Sequence, residues 1–390
     1  MQNATEEDSS NLGERISRSV LEVFNSLKNK AAKPVLRSNG VKEWTVLAGV
    51  VAINISNDNL KTICIATGVK ALPNEVRKTS NGLVVHDLHA EVLCLRLFNW
   101  FLLDECLKLK TDSKCSSEIL HITDQLEFKL NSNVRLALYV TEPPCGDASM
   151  GRMSRELLDS TPWELDARKR QKLSSNGSIL RGRSHLDQLG IVRTKPGRSD
   201  SVITLSKSCS DKLCIKQLVG ITNSFTSLLF PENIFLDYLV LPESKYDRSD
   251  FDRCFKERFS DKLSCSCHSL KALTYNGKEY KYNKPIKDGS SVASPLSLLY
   301  IFPTKTLQIL NNGVKNGCYR KSKVPGIGDE SIICNRQLFQ KFKQLRPEKL
   351  ESYVDLKLSN PKRQRLKEEA RQVLGNWQPT DIDNFNLNYK

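Results

Sequence analysis

His89, Glu91 and Cys145 combine side-chain types that together can carry out metal-assisted hydrolysis. His89 and Glu91 stand two residues apart in H-A-E, and Cys145 lies in P-P-C-G-D (143–147). Imidazole and thiolate are preferred zinc ligands, whereas a carboxylate that leaves the metal free can move protons. The sequence therefore predicts a zinc site with an acid–base residue beside it.

A third metal ligand is needed, because catalytic zinc takes three protein ligands and keeps one position open. The order H-x-E followed by P-C is that of zinc-dependent nucleobase deaminases, in which P-C-x-x-C supplies the third ligand. Position 148 is Ala, so this ligand must lie elsewhere. The candidates are Cys209, in S-C-S-D-K after a strand-like run at 201–205, and Cys214. Spacing alone leaves both open, with a preference for Cys209.

Glu91 is predicted to move the protons of the reaction. Zinc lowers the pKa of a bound water to roughly 7, and the resulting hydroxide attacks the carbon that carries the exocyclic amine of a nucleobase. The carboxylate accepts the water proton and then delivers protons to the ring nitrogen and the departing ammonia. A single H-A-E run often marks only a helix cap. Three motifs, each at a strand-to-helix transition, favour the catalytic interpretation.

Strand-to-helix transitions are predicted to position the motifs. The run 83–85 leads into His89, after which residues 92–102 continue as a helix that is apolar nearly all round, as interior helices are. Val134–Val140 ends shortly before Cys145. Further helices are predicted over 12–29 and over 336–374 with a break at Pro361, and further strands over 44–53, 62–66 and 234–241. These elements predict an α/β core with a central mixed sheet flanked by helices.

Basic charge is concentrated in two segments. The formal net charge is +15, and residues 168–216 carry 12 Lys/Arg against 3 Asp/Glu. Residues 336–371 carry 11 against 5, so the two segments account for the whole excess. Segregated basic charge predicts a polyanionic partner, with nucleic acid as the first candidate. The polar stretch 159–200 is predicted to be a basic surface insertion within one domain that spans 1–390.

Twelve cysteines would suit disulfides in a secreted protein, but the start of this chain is polar. No run approaches the ~20 apolar residues of a membrane span. We therefore expect no membrane partner and a location in the cytoplasm and/or nucleus, where most cysteines stay free. Cys265, Cys267 and His268 are close in sequence, but their spacing is not that of a zinc finger and no second pair follows.

Taken together, the three motifs resemble those of the adenosine deaminases acting on RNA and tRNA. The catalytic domain of that family contains H-A-E, P-C-G-D-A and S-C-S-D-K in this order. The likeness runs from about residue 12 to Trp377 and includes V-L-A-G-V-V (46–51) and A-T-G-V-K (66–70). It implies a cytidine-deaminase-like three-layer core elaborated with extra C-terminal helices. It also implies that His89, Cys145 and Cys209 hold Zn²⁺, that Glu91 is the proton shuttle, and that Cys214 is structural.

The deaminase pattern begins close to the start of the chain, so we expect no double-stranded-RNA-binding domain in it. Within the family, that absence resembles the eukaryotic tRNA-specific adenosine deaminases, which form inosine at position 37 beside the anticodon of alanine tRNA. The implied activity is zinc-dependent hydrolytic deamination of adenosine to inosine in tRNA, with the anticodon stem-loop as partner. The alternatives are a deaminase of free nucleosides or cytidine, which leaves the basic insertion without a purpose, and a non-catalytic RNA-binding subunit.

The family fold also buries 1D-myo-inositol hexakisphosphate in a basic cavity beneath the active site. A ligand of this charge needs several cations around it, and those cations would otherwise repel one another in the interior. Matching motifs assign this role to Asp87, Arg96, Lys195, Lys212, Tyr353, Lys357, Lys367 and Trp377. Asp87 and Lys212 are expected to link the cavity to the zinc site by hydrogen bonds.

The chain departs from the family pattern around this cavity. Leu95 stands where a second Arg is expected beside Arg96. Ile215 and Lys216 occupy two other expected cavity positions, and Asn335 replaces a Lys for which Arg336 could substitute. Pro361 breaks the helix on which Tyr353, Lys357 and Lys367 should share a face.

Contacts with tRNA are predicted in the basic insertion. A single-stranded anticodon loop can present its adenosine with little unpairing. Cations in a polar insertion contact phosphates more than bases, and their binding weakens with salt. The predicted contacts are Arg168, Lys169, Arg170, Arg181 and Arg183.

Overall fold

Strands and helices alternate along much of the chain. The computed structural model describes residues 2–112, 114–125, 127–156, 180–182, 185–195, 202, 204–260, 262–277, 279–285, 291–321, 323–347, 352–375, 377–381, 383 and 385–387. The strands are β1 (Lys42–Trp44), β2 (Leu47–Asn54), β3 (Asn59–Thr67), β4 (Val69–Ala71), β5 (Asp87–His89), β6 (Leu120–Ile122), β7 (Phe128–Leu130), β8 (Val134–Val140), β9 (Tyr238–Pro242), β10 (Lys271–Tyr275), β11 (Ser291–Ala293), β12 (Leu296–Ile301), β13 (Thr306–Asn311) and β14 (Val314–Lys315). The helices are α1 (Gln2–Ser26), α2 (Glu75–Lys78), α3 (Ala90–Thr111), α4 (Asp147–Glu156), α5 (Cys209–Val219), α6 (Arg248–Asp252), α7 (Asn335–Leu345), α8 (Tyr353–Leu358) and α9 (Pro361–Leu374).

A large mixed sheet forms the centre of the molecule. Its strand order is β10-β9-β8-β2-β3-β12-β13-β14. β8, β9 and β10 are parallel to one another, and the other neighbouring strands are antiparallel. β2 is buried from Leu47 to Ile53 because helices cover both faces of the sheet, which explains its unbroken apolar sequence. Outside this sheet, β4 pairs antiparallel with β5, and β1 pairs parallel with β11.

Helices cover the two faces of the sheet as separate layers. On one face α1 buries Val20 and Phe24 in a cluster with alternate residues of β2. Gly49 lies on this face, where a Cβ would approach Val20 to 2.8 Å. On the other face α3 buries Leu93 and Leu97 in the main core. Because α3 is enclosed, its sequence is apolar nearly all round.

The C-terminal helices pack against the layer that contains α3. α7 contacts α3, and α9 contacts α5. The predicted break at Pro361 is confirmed, since α8 and α9 are separate helices. Asn360 caps α9 by accepting a hydrogen bond from the Arg363 N–H (2.9 Å), and Pro361 occupies the first turn, where its missing N–H loses no bond.

The predicted α/β fold class, with a central mixed sheet and flanking helices, is confirmed. The strand predicted at Val134–Val140 has those bounds. The strand predicted at 234–241 begins only at Tyr238, because Ile234 and Leu236 are buried in a loop rather than in a ladder. Residues 202, 204 and 205 form no strand, so an irregular segment precedes Cys209. Among the described helices, none has both the length and the apolar character that a membrane crossing requires.

Candidate functional site

Three side chains from distant parts of the chain meet in one cluster. His89 Nδ1 lies 3.7 Å from Cys145 Sγ and 3.6 Å from Cys209 Sγ. The three atoms lie within 4.8 Å of one another, and no other trio of His, Cys, Asp or Glu in the described ranges does so. Cys214 lies outside the cluster, and its thiol donates to the carbonyl oxygen of Cys254 (3.4 Å).

Each member of the cluster stands where a strand ends or a helix begins. His89 ends β5 and is the N-cap of α3, Cys145 lies between β8 and α4, and Cys209 opens α5. Ser208 caps α5 through its side chain. Gly146 has a φ of +100°, and a Cβ there would lie 2.2 Å from Ser208 Oγ, so this turn requires glycine.

The donor types and their spacing fit a zinc ion. Tetrahedral zinc with bonds of about 2.3 Å to sulfur and about 2.0 Å to nitrogen places neighbouring N and S donors about 3.6 Å apart. The distances from His89 are 3.6 and 3.7 Å. A hydrogen bond from Cys209 lowers the pKa of Cys145, whereas burial raises the pKa of Cys209. Three ligands leave one position of a tetrahedron for a reactant, as in catalytic zinc sites.

Glu91 lies beside the cluster, in the first turn of α3, and its side chain is buried. Burial raises the pKa of its carboxyl group above the usual value, and the neighbouring His89 opposes that rise. A carboxyl group whose pKa lies nearer neutrality accepts and donates protons more readily at neutral pH. The environment of Glu91 therefore suits general acid–base chemistry.

Asp87 joins the cluster to two lysines, the buried Lys195 and the partly buried Lys212. Its carboxylate accepts hydrogen bonds from Lys195 Nζ (2.8 and 2.9 Å) and from Lys212 Nζ. It also accepts one from the His89 N–H (3.1 Å), while Lys195 Nζ donates to Cys209 Sγ (3.3 Å). Burial would raise the pKa of Asp87, but the two lysines hold it well below the usual value. The network orients both His89 and Cys209 from behind.

A cavity of about 410 Å³ adjoins the cluster, because Cys209, Asp87 and Glu91 are among its lining residues. Asp87 and Glu91 are the acidic groups among its lining residues, and both stand at the end nearest the cluster. The rest of the lining is strongly cationic. Its cations are Arg77, Arg96, Lys212, Lys216, Lys357, Arg363, Lys367 and Arg371.

Among the described residues, four of these eight cations donate hydrogen bonds to neutral groups alone: Arg96, Lys216, Arg363 and Lys367. Lys367 Nζ donates to Ser224 Oγ (3.0 Å), and Lys216 Nζ donates to the Ile221 carbonyl (3.2 Å). Burial and neighbouring positive charge lower the pKa of Lys216 and of Lys367 to about 7. The same effects lower the pKa of Lys357 to about 8. A cavity of this kind fits a multiply charged anion, which would restore the charge of these lysines.

Most of the residues predicted for a polyanion site do line this cavity. They are Asp87, Arg96, Lys212, Tyr353, Lys357, Lys367 and Trp377. Lys195 is not among the lining residues, since it is 2% exposed and lies between Asp87 and Cys209. Its contact with the polyanion stays a prediction. The hydrogen-bonded link from Lys212 to the cluster therefore runs through Asp87 and then Lys195.

The positions that depart from the family pattern also lie at the cavity. Leu95, Ile215, Lys216 and Asn335 line it, and Asn335 Oδ1 accepts a hydrogen bond from Arg96 (2.9 Å). Arg336 does not substitute there, because its guanidinium donates to the Asn386 carbonyl (3.1 Å) outside the lining. Although Pro361 separates α8 from α9, residues of both helices reach the cavity.

Three lining cations were missed by the sequence analysis: Arg77, Arg363 and Arg371. Arg363, Lys367 and Arg371 follow one another at intervals of four on α9, so they share one helix face. That spacing could have identified them. Arg77 follows no such pattern, because it reaches the cavity from the short helix α2.

Four of the five predicted RNA-contacting residues lie outside the described ranges: Arg168, Lys169, Arg170 and Arg183. Arg181 is described and is 3% exposed, and its contact with RNA stays a prediction. It pairs with Thr194 in an isolated bridge. The end of the predicted surface insertion is likewise buried, from Val192 to Lys195, because this segment supports the metal cluster.

The sequence matches the adenosine-deaminase (editase) domain over residues 64–379. A tRNA-specific adenosine deaminase 1 of Schizosaccharomyces pombe is 35% identical to it, with 99% of each chain covered. The tRNA-specific adenosine deaminase 1 of Saccharomyces cerevisiae is 35% identical, with 95% of this chain and 94% of the relative covered. That of Drosophila melanogaster is 27% identical, over 89% and 86% of the two chains.

Proposed function

The chain belongs to the adenosine-deaminase (editase) family, and from this premise we propose that it converts adenosine to inosine in tRNA by hydrolytic deamination. The family predicted from the three sequence motifs is thereby confirmed. The observation that carries the proposed reaction is the trio His89, Cys145 and Cys209 with a buried carboxyl group, Glu91, beside it. Relatives that cover nearly the whole chain are named tRNA-specific adenosine deaminases, which supports tRNA as the substrate.

His89, Cys145 and Cys209 are the proposed zinc ligands. When bound, zinc supplies the Lewis acidity that makes water nucleophilic near neutral pH. Asp87 holds the His89 backbone and Lys195, and Lys195 places its ammonium group 3.3 Å from Cys209 Sγ. A positive charge at this distance stabilises the thiolate form that binds metal.

Glu91 is the proposed proton carrier of the reaction. Water adds to the ring carbon that bears the amine, and Glu91 takes the proton that the water loses. Glu91 passes this proton to the ring nitrogen. The proton of the added hydroxyl group then moves through Glu91 to the amino group, the carbon–nitrogen bond breaks as the carbonyl forms, and ammonia leaves. One water is consumed and one ammonia is released, so atoms balance and no oxidant is needed. The raised pKa of the Glu91 carboxyl group supports both halves of this transfer.

The cationic cavity is the proposed binding site of inositol hexakisphosphate. Eight cations line it, and several donate only to neutral oxygens within the described residues, so a polyanion would compensate their charge. Lys212 connects such a ligand to the metal ligands through Asp87 and Lys195. Phosphorus analysis of the purified protein, alongside metal analysis, tests both ligands in one sample. A protein free of phosphorus would contradict the polyanion assignment.

We further propose the adenosine at position 37, next to the anticodon of alanine tRNA, as the target. An unpaired loop nucleotide can enter a recessed site at little cost in base pairing. The proposed phosphate contacts in the insertion at 159–200 are Arg168, Lys169, Arg170 and Arg183. This insertion belongs to a single proposed domain that spans 1–390. All twelve cysteines are free thiols, which supports a reducing location in the cytoplasm and/or nucleus.

One assay separates the candidate functions. The purified protein is incubated with total tRNA, with free adenosine and with free cytidine, and inosine or uridine is measured. Inosine in tRNA alone is the expected result. Turnover of the free nucleosides would instead identify a small-substrate deaminase, and RNA binding without any product would identify a non-catalytic subunit.

Replacing the proton carrier gives the matched control. Glu91→Ala is expected to keep its zinc and lose activity by about 10²–10⁴-fold, the usual contribution of general acid–base catalysis. Zinc content, measured on the same preparation, shows that the site is intact. An active Glu91→Ala enzyme would refute the assignment of the proton carrier.

A further inference from the structure

Trp44 is a large aromatic side chain that belongs to none of the three hydrophobic clusters formed by the described residues. It ends β1 and is partly exposed. By contrast, Trp100 packs against the main core and Trp377 lines the cavity. A partly exposed indole outside the hydrophobic clusters can offer an aromatic surface to a ligand.

The strands around Trp44 leave part of its indole exposed. Lys42 and Trp44 are two residues apart on β1 and therefore point to the same face. The residues of β11 aligned with them are Ser291 and Ala293, which are both small. Lys284 Nζ lies 5.7 Å from the centre of the Trp44 ring. The indole of Trp44 thus has two cations beside it, Lys42 and Lys284. We call these three side chains the Trp44 surface.

Backbone hydrogen bonds connect this surface to the His89 side of the metal cluster. Val46, two residues after Trp44, accepts a hydrogen bond from the Gly68 N–H (3.1 Å). Gly68 in turn accepts one from the Ala90 N–H (3.0 Å), directly after His89. The Trp44 surface therefore lies at the same end of the sheet as the catalytic groups.

A second connection leads to the Cys145 side. The loop that carries Lys284 is held by Lys245, whose Nζ donates to Asn283 Oδ1 (3.2 Å) and to the Thr141 carbonyl (3.1 Å). Thr141 directly follows β8 and opens the segment that contains Cys145. The surface is thus tied to both halves of the cluster, so a ligand that contacts it and the cluster together would meet a rigid frame.

We propose that the Trp44 surface binds single-stranded RNA beside the reacting adenosine. The indole stacks on a neighbouring base, and Lys42 and Lys284 contact the phosphates that flank it. Aromatic stacking with adjacent cations is how proteins hold unpaired nucleotides, because every base has a face to stack and every linkage a negative charge. This inference rests on the proposed tRNA substrate and names residues that orient it. A free nucleoside in the active site has no neighbouring base or phosphate to place on the surface.

The test compares Trp44→Ala, Trp44→Tyr and Lys284→Ala with the wild type on an anticodon stem-loop RNA and on tRNA. Trp44→Ala is expected to weaken RNA binding about tenfold and to raise the tRNA KM, with kcat within about twofold. Trp44→Tyr should keep most of the affinity, because it keeps an aromatic face. Lys284→Ala should reduce the slope of log affinity against log salt by about one.

Lys114→Ala is the matched control for loss of a lysine. Lys114 is exposed and follows the C-terminal end of α3. This helix has 22 residues and its first turn lies at the metal cluster, so Lys114 stands about 30 Å from the cluster. Its removal should leave affinity and salt slope unchanged. Thermal unfolding and zinc content establish that each variant is folded.

The outcomes separate this inference from the proposed function. One outcome is that the wild type forms inosine in tRNA while the folded variants Trp44→Ala and Lys284→Ala bind RNA with wild-type affinity. That result refutes the proposed role of the Trp44 surface and leaves the proposed deaminase activity intact. If the wild type forms no inosine in tRNA but Trp44→Ala binds RNA more weakly than the wild type, the proposed function fails and the proposal for the Trp44 surface stands. Should Trp44→Ala not fold, an unchanged salt slope in Lys284→Ala overturns the proposal.

Discussion

The metal cluster and the cationic cavity share Asp87 but balance charge in different ways. At the cluster, Asp87 accepts hydrogen bonds from Lys195 and Lys212, and Lys195 faces the Cys209 sulfur. In the cavity, Lys216 and Lys367 donate to neutral oxygens, and burial lowers their pKa to about 7. The cluster is therefore organised by the chain itself, whereas the charge of the cavity would be balanced by the proposed polyanion.

This difference shows which parts of the site fold unaided. A buried charge with an internal partner is stable as soon as the two segments meet. Buried charges of one sign repel one another until a counter-charge binds. Binding of the proposed polyanion would therefore stabilise the whole fold. Three substitutions test whether the two regions differ in this way.

Asp87→Asn should have the largest effect, because it removes the charge that both regions share. Lys195 would then be buried without its anionic partner, a loss of about 3–5 kcal/mol in the free energy of unfolding, and the partly buried Lys212 would lose the same partner. Zinc affinity should also fall by about 10–100-fold, since the groups behind His89 and Cys209 are released. Denaturant unfolding and metal titration measure the two effects.

Ser206→Ala is its control. Ser206 Oγ donates to Asp87 Oδ2 (2.9 Å) but carries no charge, so its loss should cost about 1 kcal/mol. Equal stability of Asp87→Asn and wild type would show that the lysines find other partners, and the distinction between the two regions would fail.

Lys367→Met tests the cavity by the sign of its effect. In protein that carries a polyanion, the variant should lose about 1.5–3 kcal/mol, the contribution of a hydrogen bond to a charged group. In protein refolded without polyanion, the same variant should be as stable as wild type or more stable, because repulsion is relieved. Urea unfolding of both forms, with phosphorus analysis, provides the measurement.

Arg365→Met supplies the comparison for that experiment, since Arg365 is on α9 but exposed. It should leave stability unchanged in both forms. A destabilisation by Lys367→Met that is the same with and without polyanion would mean that the cavity does not need an anion.

Gly146→Ala should have the smallest effect on stability. It should disturb the metal cluster and leave the cationic cavity unchanged. A Cβ at Gly146 meets the hydroxyl of Ser208, the cap of the helix that begins with Cys209. The expected cost is about 1–3 kcal/mol, with weaker zinc binding. Gly190→Ala separates strain from collision, because Gly190 also has a positive φ (+72°) but has open space around it. Gly190→Ala should therefore leave zinc binding unchanged.

Sequence patterns were sufficient for much of the fold. Val134–Val140 and the helix after His89 were predictable because an apolar run or a helical period acts over a few neighbouring residues. The strand predicted at 234–241 was too long, because Ile234 and Leu236 are buried by packing of a loop, which a local pattern cannot distinguish from a strand. The helix break at Pro361 was correct, but two helices still deliver their cations to one cavity.

The sequence by itself determined the chemical groups and the turns that present them: imidazole and carboxylate at the start of α3, and a thiol after β8. Tertiary structure alone decided which groups meet. It brought Cys209 rather than Cys214 to His89, directed Lys195 to the Cys209 sulfur instead of the cavity, and turned Arg363 inward. Those outcomes depend on distances between segments far apart along the chain, and packing of the sheet and helices sets such distances.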